Sequence, residues 1–256
     1  VTPDLALAIE VAEAAASVHR AGRSRVLEVR SKSTATDLVT QIDTEAEAAI
    51  RRILEARVPG DAVLGEEEGG EQGAGGRRWI VDPLDGTLNY AHGFPYYCVS
   101  VALEIDGVVE IGVVLDSARG GLFTAQRGLG ATHDGRPLRV TGRTRLAESM
   151  IATGFAYQLD RMDENYHLFG KVLPLARAVR RPGAAALDLC HVAAGFLDGL
   201  WELYLSPWDV AAGSLVVTEA GGRVTDHEGR PASLTDRMIV ATGGGIHDEL
   251  LGVLSS

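Results

Sequence analysis

Cysteine is almost missing from this chain. Cys98 and Cys190 lie far apart in apolar surroundings and form no C-x-x-C pair, so they read as two reduced core thiols in a cytosolic protein. Lysine is as rare: Lys32 and Lys171 are the only two among 24 basic residues, and the formal net charge is −11. No polybasic segment exists to neutralise nucleic-acid phosphates or anionic lipid, so neither nucleic acid nor membrane is expected as a partner. Long apolar runs are absent too. Residues 1–22 alternate apolar positions with Glu10, Glu13, His19 and Arg20, short of the roughly 20 apolar residues of a membrane span, which predicts an amphipathic helix and neither a signal peptide nor an anchor. The seven histidines are singletons without a His-x-His or His-x-x-x-His pair, which argues against zinc. A Gly-x-x-x-x-Gly-Lys loop is missing, and Gly128-Leu129-Gly130 lacks the third glycine of a dinucleotide fingerprint, which argues against nucleotide hydrolysis and redox work.

What is present is enough apolar material, 46% of 256 residues, for one large domain or two closely packed ones. After the first helix, closed by Gly22, the pattern predicts a short strand (26–30), a polar loop (31–36) and a helix over about 43–58 capped by Asp43. A strand at 62–64 runs into Gly65-Glu66-Glu67-Glu68-Gly69, and the Gly-rich stretch to Gly76 reads as an exposed loop. From residue 97 to 139, strand patterns are broken at Asp106-Gly107, Gly120-Gly121 and Asp134-Gly135, which are hairpin signals of an antiparallel sheet. Beyond Thr144, strands and helices alternate: 150–153, 164–176, 179–181, 184–194, 197–203, 209–220, 223–225, 238–241 and 246–254. The first part, 1–145, reads as α+β and the second, 146–256, as α/β. No linker parts them, so 1–256 is expected to form a single domain of two subdomains with any site in the seam.

The chemistry concentrates in residues 79–89, Trp-Ile-Val-Asp82-Pro83-Leu84-Asp85-Gly86-Thr87-Leu88-Asn89. A short apolar strand ends by presenting two carboxylates across a Pro-bounded turn, with a glycine that leaves backbone amides uncovered and a threonine able to hydrogen-bond a water. Hard oxygen ligands and anion-binding donors together fit magnesium and phosphate. Taken singly, each acidic residue has a plainer explanation. Asp85-Gly86 fits a turn, Glu66 to Glu68 a solvated edge, and Asp209, before an apolar run, a helix N-cap. Asp82 fits less well, because a carboxylate beside a buried run needs a cation or donors to offset its desolvation. Jointly, three acidic groups at strand ends and one at a helix start form a set able to hold two or more Mg2+ ions beside a phosphate. The Asp-x-Asp-Gly-Thr motif of aspartyl-phosphate enzymes is set aside, since two residues separate these aspartates and no later Asp-Asp pair exists.

These residues resemble the inositol monophosphatase family, and the match spans nearly the whole chain in family order. Residues 82–89, Asp-Pro-Leu-Asp-Gly-Thr-Leu-Asn, resemble its first signature. Trp208-Asp209-Val210-Ala211-Ala212-Gly213, followed by Glu219-Ala220-Gly221-Gly222, resembles its second. Asp37-Leu38-Val39-Thr40 with Asp43, Gly65-Glu66-Glu67 and Lys32 also align. The resemblance implies a layered α/β/α/β/α sandwich and a homodimer. It also implies that Glu66, Asp82, the Leu84 carbonyl, Asp85 and Asp209 hold two or three Mg2+ ions, with Lys32 among the catalytic residues. Thr87, with Glu66 and Asp43, would polarise the attacking water, and the amides of Gly86 and Thr87 would grip phosphate. Arg180, Gly183, Ala184, Ala185 and Glu202 align with positions that contact or border the inositol ring. Ala184 replaces a frequent Ser or Thr, which removes a hydroxyl contact. The expected activity is Mg2+-dependent, lithium-sensitive hydrolysis of myo-inositol 1-phosphate and related sugar or polyol phosphates by direct in-line attack. Its rivals are fructose 1,6-bisphosphatase, 3',5'-adenosine bisphosphate phosphatase, histidinol-phosphate phosphatase and NADP phosphatase, or a non-catalytic scaffold that keeps the fold.

Overall fold

Two β-sheets separate three layers of helices. The computed structural model describes residues 1–25, 29–31, 38–70, 76–156 and 159–255. Lys32, Asp37, most of the polar loop 31–36 and the glycines at 73 and 75 lie outside these. Helix α1 (Pro3–Gly22) starts at Thr2, whose hydroxyl accepts from the Leu5 amide at 3.3 Å, and α2 (Gln41–Arg57) starts at Thr40. The short strands β1 (Val29–Ser31) and β2 (Leu38–Thr40) pair between them.

The first sheet has seven strands in chain order: β3 (Ala62–Gly65), β4 (Arg77–Asp85), β5 (Cys98–Ile105), β6 (Val108–Asp116), β7 (Leu122–Gln126), β8 (Gly130–His133) and β9 (Arg136–Pro137). Pairing is antiparallel throughout except β3 with β4. The three expected hairpins form; a fourth turn, at Gly128-Leu129 between β7 and β8, is the use to which the unmatched Gly-x-Gly is put. Side-chain alternation along β4 explains the layering. Trp79 and Val81 face the α1 and α2 side, while Ile80 faces the interior between the sheets. Each such fully buried large side chain contributes about 1.5–3 kcal/mol.

The second sheet is mixed, in the order β11 (Ala178–Arg180), β10 (Met150–Thr153), β12 (Gly199–Leu203), β14 (Met238–Thr242) and β13 (Arg223–Thr225). The short helix α3 (Thr87–His92) follows β4 directly, α4 (Met162–Val172) and α7 (His247–Ser255) cover the outer face of the second sheet, and α5 (Ala185–Ala193) and α6 (Pro207–Glu219) fill the space between the sheets. The result is the five-layer α/β/α/β/α sandwich.

Two local expectations are corrected. Asp43 and Asp209 are not N-caps. Each stands three residues inside its helix and closes a capping box, with Thr40 and with Ser206 as the caps, so each carboxylate accepts from the cap's backbone amide. Helix α1 ends at Gly22 as expected, and a Cβ there would overlap Ile42 and the Tyr90 hydroxyl, so the glycine also serves close approach of the packed elements. Finally, β11 ends at Arg180, one residue before the 179–181 strand expected.

Candidate active site

Strand β4 keeps its pairing with β5 from Arg77 to Asp82, then slips. Asp82 lies opposite Ser100 and Asp85 opposite Cys98, so three steps on β4 match two on β5. Pro83, which has no amide to donate, sits in this bulge. The carbonyl of Pro83 instead accepts from His19 Nε2 of α1 at 2.8 Å, while His19 Nδ1 lies 2.9 Å from Ser117 Oγ. A carbonyl only accepts, so the neutral ring carries its proton on Nε2 and Ser117 donates to Nδ1. The bulge turns Asp82, Leu84 and Asp85 toward one cleft.

That cleft, of about 320 Å³, lies between the two halves of the chain. Glu66, Asp82, Leu84, Asp85, Gly86, Thr87, Gly183, Ala185, Glu202 and Asp209 all line it, so the structure brings together most of the residues that the sequence singled out. Asp43 stands one bond behind the wall: Thr87 Oγ1 lies 2.7 Å from its Oδ1 and 3.0 Å from the Leu84 carbonyl, while Asp43 Oδ2 accepts from the Thr40 amide at 2.9 Å and hydroxyl at 2.7 Å. Ala184 is buried as the N-cap of α5 and Arg180 is exposed at the end of an edge strand, its Nη1 on the Val179 carbonyl. Neither lines the cleft. Lys32 lies outside the described residues.

Sequence reasoning missed several parts. Arg181, the first residue past β11, is the only basic side chain on the cleft wall among the described residues. The family resemblance had singled out its neighbour Arg180 instead. Asn89 Nδ2 donates to the carbonyls of Tyr96 at 2.8 Å and Pro182 at 3.0 Å, which ties the second half of the chain to the residue 82–89 segment. Gly154 lies so close to Glu202 that any Cβ would overlap the carboxylate. A pattern of apolar positions carries no signal for such a contact.

The electrostatics are those of anions crowded out of water. Asp82 and Asp85 are 2% and 8% exposed. Burial pushes Asp82 well above the usual carboxylate range, and the charges of Glu66, Asp85 and Asp209 push it further. Burial likewise raises Asp85 to about 6, although the Ala186 amide, 2.8 Å from Oδ2, and the Cys98 thiol hold it down. Glu202 is raised chiefly by burial, then by Asp188, Asp209 and Asp85, with Arg181 opposing. Each of three carboxylates spends one oxygen on the protein: Asp82 Oδ1 on the Leu84 amide at 2.9 Å, Asp85 Oδ2 on the Ala186 amide, Asp209 Oδ2 on the Ser206 amide at 2.7 Å. That fixes their orientation toward the cleft. Such a set of hard oxygen donors, held together against repulsion and desolvation, fits a divalent cation of the magnesium type. Among the described residues no three His, Cys, Asp or Glu side chains are grouped so that they could hold a metal ion by themselves.

The thiols Cys98 and Cys190 are both free and buried, as expected, and burial raises both. No described helix is long and apolar enough to cross a membrane.

Comparison with known proteins agrees with this fold. The sequence matches the inositol monophosphatase family over residues 1–255. It is 44% identical to an inositol-1-monophosphatase of Synechocystis over 91% of this chain and 82% of that protein. It is also 44% identical to the Nus factor SuhB of Pseudomonas aeruginosa, over 86% and 83%. The crystal structure of the extragenic suppressor protein suhB from Bartonella henselae superposes with a TM-score of 0.95 at 38% identity, over 100% of this chain and 99% of that one. With fold, cleft and sequence in agreement, the chain belongs to the inositol monophosphatase family of phosphatases.

Proposed function

We propose that the protein is a Mg2+-dependent phosphomonoesterase that hydrolyses myo-inositol 1-phosphate and related sugar or polyol monophosphates by direct in-line attack of water. The observation that carries this reading is the convergence of Glu66, Asp82, Asp85 and Asp209 on one cleft beside Gly86 and Thr87. Glu66, Asp82, the Leu84 carbonyl, Asp85 and Asp209 would hold two or three ions. Bound there, Mg2+ supplies an activated water near neutral pH and charge stabilisation at the leaving oxygen.

The chain's own residues do the rest. Thr87 has one hydroxyl proton to give, and Asp43 Oδ1 is a nearer acceptor than the Leu84 carbonyl. With that proton directed away, the lone pairs of Thr87 Oγ1 accept from the attacking water and, with Glu66, orient it. Asp43 cannot swing aside, because Thr40 holds its other oxygen twice. Gly86 turns the backbone at φ 91°, and a Cβ there would come within 2.9 Å of the Tyr96 carbonyl. Only glycine serves, and the turn offers the amides of Gly86 and Thr87 to phosphate oxygens. On the opposite wall, Glu202 accepts from substrate hydroxyls while Arg181 donates to them. Lys32 is proposed to stand beside the site. Residues 1–145 and 146–256 act as two subdomains that meet at this cleft. A homodimer, lithium sensitivity and a cytosolic location belong to the same reading.

A panel of phosphate esters, read by release of free phosphate, tests the substrate assignment. Preference for inositol 1-phosphate supports it; a strong preference for histidinol phosphate, adenosine 3',5'-bisphosphate, fructose 1,6-bisphosphate or NADP rejects it. A second reading, a non-catalytic interaction role, is favoured by one observation: the relative named a Nus factor is as similar as the Synechocystis phosphatase. A cellular role that survives Asp82→Asn while hydrolysis is lost would establish that role.

A further inference from the structure

Glu66 is the one proposed ligand that no strand or helix carries. Gly65 ends β3, and residues 66–68 form a turn whose return is fixed by the Gly65 amide donating to the Gly69 carbonyl at 3.1 Å. The other anchors come from two side chains of α2. Glu47 is fully buried, and its carboxylate accepts from the Glu67 amide at 2.8 Å and the Glu68 amide at 3.1 Å. Arg51 Nε donates to Glu47 Oε1 at 2.8 Å, and Arg51 Nη2 donates to the Gly69 carbonyl at 2.6 Å. Glu68 lies within 3.3 Å of the same guanidinium. Gly65 packs so tightly on the Glu47 carboxylate that a Cβ would overlap it. A buried carboxylate with three donors and a guanidinium on both sides of the turn is a rigid charge-assisted clamp. Neither side chain lines the cleft.

We infer that Glu47 and Arg51 are positioning residues that hold the Glu66 turn in register with Asp82 and Asp85 and thereby set the protein's affinity for its divalent cation. The inference rests on reading Glu66 as a ligand. Groups that orient a ligand from behind typically change metal affinity or activity about 10–100-fold when removed.

The test compares the wild type with Glu47→Gln, Arg51→Ala, Glu66→Gln and Glu45→Gln. Glu45 lies on the same helix but, among the described residues, bonds outward to the exposed Arg25. Three quantities are read: the Mg2+ concentration for half-maximal phosphate release, kcat at saturating Mg2+, and amide hydrogen exchange across residues 66–69 without metal. Glu47→Gln and Arg51→Ala are expected to raise the half-saturating Mg2+ about tenfold or more, to change kcat much less, and to speed exchange at Glu67 and Glu68. Glu45→Gln is expected to change none of these. If Glu47→Gln does not fold, Arg51→Ala, at a partly exposed position, decides alone. An unaltered Mg2+ dependence in the Glu47 and Arg51 variants, with a shifted one in Glu66→Gln, overturns the inference. If Glu66→Gln itself leaves the Mg2+ dependence unchanged, the ligand reading fails and the cation claim falls with it, while the exchange data still report whether the clamp holds the turn.

Discussion

At the scale of single residues, the acidic ligand candidates were legible because carboxylates near a buried strand are chemically conspicuous. Asp82 next to Trp79-Ile80-Val81 announces itself through the cost of its burial. Residues that act by shape were silent. Gly154 reads as an unremarkable loop glycine, yet its missing side chain is the space that the Glu202 carboxylate fills. Gly154→Ala is therefore expected to displace Glu202 and raise KM for the polyol phosphate by about tenfold, the cost of roughly one lost hydrogen bond, with a smaller effect on kcat. Steady-state kinetics at saturating Mg2+ check this, and an unchanged KM would remove Glu202 from the substrate wall. Arg181 was hidden for a different reason. Two adjacent arginines alternate faces at the end of a strand, and which one enters the cleft depends on where the strand stops, a boundary that tertiary packing decides.

At the scale of elements, the strand and helix segments were readable from periodicity, but how they are fastened was not. Asp43 and Asp209 look like N-caps by composition; in the fold, Thr40 and Ser206 take that place and the aspartates become the reciprocal partners one turn on. The capping box on α2 does two things at once, since it starts the helix and immobilises the carboxylate behind Thr87. Thr40→Ala is expected to lower stability by about 1 kcal/mol, read as a denaturant midpoint, and to lower kcat as well because Asp43 loses its clamp. Loss of stability with kcat intact would separate the two roles. His19 fastens α1 to the β4 bulge through the Pro83 carbonyl. Burial lowers its pKa from 6.5 to about 4. The folded state thus resists protonation that the unfolded chain accepts, so the His19 contribution is complete above pH 6.5 and lost as pH falls through 4. At about 1.36 kcal/mol per unit this amounts to about 3 kcal/mol. Ring resonances followed by NMR are expected to show His19 neutral at pH 5.5; titration near 6.5 would contradict its enclosure.

At the scale of the whole molecule, the layered sandwich was legible from the family signatures and from the change of rhythm near residue 145. A seam between the halves was expected, but not the contacts that make it, because these are long-range, such as Asn89 with the Pro182 carbonyl and α5 and α6 lying between both sheets. This joining creates the cleft: strand β4 and the Glu66 turn bring acids from one side, α6 and β12 from the other. A chain of net charge −11 gathers five carboxylates and, among the described residues, one arginine at the place where a phosphate ester is proposed to bind. Anion next to anion is unfavourable at that spacing without intervening cations. The most direct measurement follows from this. Protein stripped with a chelator is titrated with Mg2+ while phosphate release from myo-inositol 1-phosphate is recorded, for the wild type and for Asp82→Asn. The expected result is negligible release without metal, a saturable rise with Mg2+, and turnover lowered by about two orders of magnitude or more in Asp82→Asn. Equal rates in chelator and in Mg2+, or an Asp82→Asn variant with the wild-type Mg2+ dependence, would contradict the account.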